Sequence, residues 1–122
     1  MSSTDMNKEL VLAHPPPAGP FVMVNLYKLK EGVQFAEFLK EMALVADDAF
    51  RGTSGRILYR GKVGAEFTNN ESEWDYIIPI EYDDWTRITH FFEDNEMINK
   101  LNGIRRKYLA DSRWTFTTHM GN

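Results

Sequence analysis

The sequence predicts an α+β domain in which a four-stranded antiparallel sheet carries both of its helices on one face, with elements in the order β-α-β-β-α-β. Three observations predict it. Residues 21–27 form a near-continuous apolar run, residues 35–50 and 85–108 place apolar side chains at helical spacing, and residues 56–63, 74–82 and 113–119 read as extended segments. With 122 residues the chain holds one core and not two, since each core needs upwards of about 50 residues. Residues 1–19 are expected to be an arm and residues 20–122 the domain.

The arm ends in His14-Pro15-Pro16-Pro17-Ala18-Gly19-Pro20, which removes amide donors and favours extended polyproline geometry, so it is expected to lie outside the core. Phe21-Val22-Met23-Val24-Asn25-Leu26-Tyr27 is then apolar at odd and even positions alike, as a strand covered on both faces must be. Beyond Glu31-Gly32, the residues Phe35, Phe38, Leu39, Met42, Val45, Ala46, Ala49 and Phe50 recur on one side of a helix. Glu37, Lys40, Glu41, Asp47 and Asp48 take the other side.

Gly52-Thr53-Ser54-Gly55 ends that helix, and residues 56–63 have the mixed polarity of a strand near a sheet edge, with Gly61 and Gly64 as candidates for a bend. Residues 68–72 are a polar turn leading to a third strand, in which Pro79 threatens the continuity of the ladder because it donates no amide. Asp83 or Asp84 can cap the next helix, whose stripe is Trp85, Ile88, Phe91 and Phe92. A break near Glu93-Asp94-Asn95 separates it from Met97, Leu101, Ile104 and Tyr108, which are again at helical spacing. Asp111-Ser112 is expected to end the helical part. In residues 113–119, Trp114 and Phe116 then alternate with Thr115 and Thr117 as in a strand.

Composition narrows the function classes. The net charge is −4 and the 14 basic residues are scattered, so a nucleic-acid partner is not expected. The chain has no cysteine, which excludes disulfides, thiolate catalysis and thiolate metal sites. His14, His90 and His119 show no spacing that would make a local metal site, and no phosphate loop, serine elbow or dinucleotide fingerprint occurs, so no cofactor is expected. The first twelve residues carry Asp5, Lys8 and Glu9 and lack a secretory pattern, and no apolar run approaches membrane-spanning length. A cytoplasmic protein without a membrane partner is expected. Asn70-Glu71-Ser72 matches a glycosylation acceptor only at the level of chance.

With both helices on one face, the other face of the apolar first strand would be left in water. An identical sheet related by a two-fold axis covers it most economically, so a homodimer is expected; a monomer covered by its own arm is the rival.

Several polar residues are candidates for a site. Asn25 interrupts the apolar run, and leaving its amide buried and unpaired would cost about 1–3 kcal/mol, so it either ties the strand down or contacts a ligand. Tyr27, two residues on, shares its face and can donate a phenolic proton. His90 is the histidine best placed to move a proton, with a plain helix-surface role as the alternative. Arg56, Arg60, Arg105 and Arg106 could each offer a guanidinium fork to an anion or make an ordinary salt bridge. Asp75 and Glu81 could act as bases but read by default as solvated strand-edge groups, and Trp74 and Tyr76 are further substrate-binding candidates.

Pro20-Phe21-Val22-Met23-Val24-Asn25-Leu26-Tyr27-Lys28-Leu29-Lys30 resembles the opening of the small dimeric α/β-barrel proteins of ferredoxin-like fold, nearest the family called domain of unknown function 1330. Residues 55–61 resemble that family's second strand, Trp74-Asp75 its third-strand entry, Tyr82-Asp83-Asp84 its strand-to-helix corner, and Arg105 with Leu109-Ala110-Asp111-Ser112 its late helix and exit. Two features depart from it: Ser54-Gly55 stands where two glycines are common, and the arm has no counterpart. The resemblance implies a ferredoxin-like dimer and points to Arg105 as the pocket arginine. The superfamily holds cofactor-independent monooxygenases, isomerases and cyclases, haem enzymes, and members without known activity, so the fold leaves the reaction open. Trp74 and Trp85 do not stand at the haem-degrading branch's spacing to His90, which makes haem the weaker alternative. A pocket for a small organic molecule bearing a carbonyl or carboxylate follows, with a non-catalytic binding or interaction module as the competing expectation.

Overall fold

Burial alternates strictly along the first strand, and that alternation sets the architecture. In the computed structural model residues 4–16, 18–50, 55–65, 67 and 73–118 are described, without the side chains of residues 46–50, 87, 90 and 91. The expectations for the breaker at residues 52–54, the turn at residues 68–72 and His119 lie outside the described residues. The elements are α1 (Lys8–Ala13), β1 (Phe21–Leu29), α2 (Phe35–Phe50), β2 (Arg56–Ile57), β3 (Gly61–Lys62), β4 (Tyr76–Tyr82), α3 (Trp85–Glu93), α4 (Asn95–Tyr108) and β5 (Leu109–Thr118). The sheet is antiparallel in the order β2-β4-β1-β5, with β3 also on β4.

Phe21, Met23, Asn25 and Tyr27 are buried under the helices. Val22, Val24 and Leu26 point to the other face and are only half-buried. By register that second face continues through Ile77 and Pro79 of β4, with Thr115 and Thr117 of β5 at its side. The helix-side core has two clusters joined through Met42 and Ile80: one holds Phe21, Tyr82, Ile88, Phe92 and Leu101, the other Tyr27, Phe38, Ile78, Tyr108 and Leu109. A turn leads from β1 to α2, closed by the Val33 amide donating to the Lys30 carbonyl at 3.4 Å, and Gly32 occupies its left-handed position at φ +82°.

The expected single strand at residues 56–63 is two two-residue pieces, and Pro79 explains the gap. The Leu58 amide donates to the Pro79 carbonyl at 3.0 Å, so residue 79 faces the outer edge, and proline has no amide to give back. Its missing donor costs the inner ladder nothing: β1 and β4 pair without interruption from Phe21↔Tyr82 to Tyr27↔Tyr76.

Two further expectations are corrected. Asp111 and Ser112 do not end the helical part; α4 stops at Tyr108, and both residues belong to β5, paired with Lys28 and Tyr27. The arm is not outside the core either. It forms α1, capped by Asn7 accepting from the Leu10 amide, and Met6 is buried within the first cluster. The arm packs on the helix side, where Leu10 and Val11 share a hollow with Met23, Trp85 and Trp114. Its described residues therefore do not cover the second sheet face.

The break in the second helical region is a true restart, since the Asp94 carboxylate accepts from the Met97 amide at 3.0 Å and caps α4. Asp94→Ala is expected to cost about 1 kcal/mol, measurable as a lower urea midpoint at unchanged slope.

Candidate functional site

Where the helix-facing side of β1 and β4 meets α2 and α4, the packing is incomplete and leaves a cavity of about 340 Å³. Phe38, Leu39 and Met42 of α2 and Ile78 and Ile80 of β4 make its walls apolar. Its polar lining is Asn25 and Tyr27 of β1, Tyr82 of β4, Arg105 of α4, and Arg60 from the segment between β2 and β3. A mostly apolar hollow with a few convergent polar groups is how small-molecule sites are usually built.

The two-residue period of β1 puts Asn25 and Tyr27 on the same face. Asn25 is 5% exposed, and its side-chain amide donates to the Ile78 carbonyl at 3.1 Å, so the polar break in the strand is satisfied by the neighbouring strand. Its carboxamide still borders the cavity.

Arg105 arrives by helical spacing. Ile98, Leu101, Asn102, Arg105 and Tyr108 are the buried residues of α4, so a guanidinium stands in a stripe otherwise largely apolar. It is 3% exposed, donates from Nε to the Thr4 carbonyl at 2.5 Å and from a terminal nitrogen to the Ser112 hydroxyl at 2.8 Å. The register of β1 and β5 sets Ser112 opposite Tyr27, whose ring lies 5.8 Å from the guanidinium carbon. None of these partners is a carboxylate. Among the described residues this buried cation is held by neutral groups, which favours an anion at that end of the cavity.

Burial pushes the Tyr27 phenol above its ordinary range, and the charge and hydrogen bond of Arg105 only partly offset it. The Tyr82 phenol is pushed up as well, first by burial and then by Tyr27. Both stay protonated near neutrality, so they offer O–H donors rather than phenolate bases.

The other candidates whose side chains are described are placed elsewhere, except Arg60. Tyr76 stacks on Phe35 with ring centroids 3.8 Å apart, Trp74 lies 5.5 Å from the Arg113 guanidinium, and neither lines the cavity. His90 sits on α3, its side chain lies outside the described residues, and no described residue of α3 lines the cavity. Asp75 is a staple whose carboxylate accepts from the Leu29 amide at 2.8 Å. Glu81 pairs with Arg56 at 2.5 Å, and Arg106 with Asp5 at 2.6 Å. His14 is exposed, with Nδ1 3.1 Å from the Leu10 carbonyl. Among the described residues no group of histidine and carboxylate side chains could hold a metal ion, and no helix is long and apolar enough to cross a membrane.

Reading the sequence did not single out Met6 or Asn102. Met6 lines the cavity, while Asn102 exchanges hydrogen bonds with the Met6 backbone. The available signal was the pair of polar residues, Asn102 and Arg105, at positions that continue the apolar spacing of Ile98 and Leu101.

No family model matches the chain, and no curated protein does. Solved structures do. RPA0582, a protein of unknown function from Rhodopseudomonas palustris, superposes with TM-score 0.78 at 18% identity over all of both chains. A dabb family protein with a ferredoxin-like fold from Mesorhizobium loti gives 0.62 at 11% identity, covering 84% of this chain and 99% of its own. SnoaB, a cofactor-independent oxygenase from Streptomyces nogalater, gives 0.55 at 14% identity, covering 86% and 97%. The fold is ferredoxin-like, and its structural neighbours include dimeric α/β-barrel proteins.

Proposed function

We propose that the chain is a small-molecule-binding dimeric α/β barrel, nearest the domain of unknown function 1330 family by its strand and corner motifs, and that it acts in the cytoplasm. Its ligand is an organic molecule bearing a carbonyl or carboxylate. The observation that carries this reading is the convergence of Arg105, Tyr27 and Asn25 on one apolar cavity. If the bound molecule reacts, the chemistry is cofactor-independent, of the monooxygenase, isomerase or cyclase type. Tyr27 and Asn25 orient a carbonyl or enolate oxygen and Arg105 balances its developing charge; the candidate for moving a proton is His90 of α3, whose side chain lies outside the described residues. The oxygenase among the structural neighbours supports that class of chemistry on this fold.

Activated carbonyl, lactone and quinol substrates assayed with wild type, Asn25→Ala and His90→Ala test it. Turnover is expected to fall about 10²-fold or more in at least one variant, the usual scale for a positioned proton-transfer group. Turnover equal in all three proteins removes these residues from the site. A non-catalytic binding module is the second reading, favoured by the bond from Asn25 to Ile78, which already uses one of the amide's donors inside the core.

The dimer rests on the second sheet face, where Val22, Val24, Leu26, Ile77 and Pro79 form an apolar centre. Thr115, Thr117 and the Arg56–Glu81 ion pair give it a polar border. A second copy fits such a face because it brings the same apolar centre and the same border.

A further inference from the structure

Three consecutive residues of the arm are held by three side chains on one face of α4. Arg105 takes the Thr4 carbonyl, and Arg106 forks onto the Asp5 carboxylate at 2.6–3.1 Å. Asn102 accepts from the Met6 amide at 2.8 Å and donates to its carbonyl at 3.4 Å. The spacing 102, 105, 106 is that of neighbours on a helix surface. What these contacts hold in place is a wall of the cavity, because Met6 is both buried and part of the lining.

That wall can move without unpairing the sheet. Most of the others belong to the sheet and to α2 and α4, with Gly55 and Arg60 on the irregular edge beside β2, whereas the arm continues into a six-residue helix that buries no residue. Its outer tie, Asp5 to Arg106, is exposed and therefore screened by solvent and salt. Its inner tie occupies the Arg105 guanidinium with a neutral peptide carbonyl. An anionic oxygen is a stronger acceptor for the same donor, so it competes favourably for that position.

We propose that the arm is the gate of the cavity, and that an entering ligand exchanges the bond from Arg105 to the Thr4 carbonyl for one to its own anionic oxygen. This rests on the reading that the cavity binds a small organic molecule, and it narrows the ligand to an apolar anion such as a carboxylate, enolate or phenolate. Met6 returns over the bound molecule as its cover.

Two dyes on the full chain test it: the anionic 8-anilinonaphthalene-1-sulfonate and the uncharged N-phenyl-1-naphthylamine. Asp5→Ala, which removes the exposed tie to Arg106 and the 3.5 Å contact from the Thr4 hydroxyl but leaves both Arg105 and Asn102 ties in place, is expected to raise the stopped-flow association rate of the anionic dye about fivefold, the scale of one surface ion pair. It should also speed hydrogen exchange at the Met6 amide while leaving Val24 in β1 unchanged. In the wild type, saturation with the anionic dye is expected to alter exchange at Met6, and the uncharged dye to leave it as it was. Binding at the wild-type rate in Asp5→Ala, or anionic dye bound with Met6 exchange unmoved, overturns the gate and leaves the ligand-binding reading standing. Failure of both dyes to bind either protein overturns that reading and the gate with it.

Discussion

Val24→Glu is expected to turn the proposed dimer into a monomer. Val24 lies in the middle of β1, between Pro79 of β4 and Thr115 of β5 in the register, and its side chain points away from the helices. In the proposed pair of sheets that position is covered by the partner, so the substitution places a carboxylate in a dry interface. Removing one charge from water without a partner costs several kcal/mol even after local relaxation, and the two-fold axis imposes the cost twice. Each 1.4 kcal/mol is tenfold in affinity, so the dissociation constant should rise by about 10³-fold or more. Light scattering at micromolar concentration should then give about 14 kDa, the mass of one chain, with helix and strand content unchanged because the helix-side core is untouched. A variant that stays dimeric places the interface elsewhere, and a wild type that is monomeric at the same concentration removes the pairing altogether.

Phe92→Ala is expected to cost about 3–5 kcal/mol, the range for emptying a buried aromatic site. Phe92 is fully buried at the end of α3, and its ring lies 5.5 Å from that of Trp114 on β5. It belongs to the core that also holds Ile88 of α3 and Leu101 of α4, so it helps seat both helices on the sheet. Urea unfolding should show the loss as a lower midpoint. Leu44→Ala on α2 is the control: Leu44 is 78% exposed, and its truncation should change stability by no more than about 0.5 kcal/mol. A small loss at Phe92 would mean that α3 does not press on the sheet as described.

The sheet and helices were legible because their signals are local. The apolar run at residues 21–27 is β1, the spacing from Phe35 is α2, and the restart at Asp94 follows from its capping side chain. The boundary between α4 and β5 was not, because Leu109-Ala110 suits helix and strand equally and is drawn into the sheet by pairing with a strand 80 residues earlier, Leu29↔Leu109. The packing of the arm is illegible for the opposite reason. Its prolines speak for an extended lead-in, but the burial of Met6 depends on Asn102, 96 residues away, and no window of sequence contains both. The candidate site was half readable. Asn25 and Tyr27 betray themselves as polar residues on a buried strand face and Arg105 through the family resemblance; Arg60 stood among the candidate arginines, but its irregular edge segment has no periodicity to place it, and Tyr82 and Met6 carried no polar signal of a lining role.

Pro79 has an effect beyond the strand it interrupts. The sheet margin outside β4 consists of two fragments of two residues each, and the backbone between them cannot be templated, since residue 79 has nothing to donate. A stray extended segment finds no continuous row of amides there, so strand-by-strand growth into a fibril has no starting point on that flank. The proposed pairing through the apolar face meets no such obstacle, and being two-fold it would close on itself and keep that assembly finite.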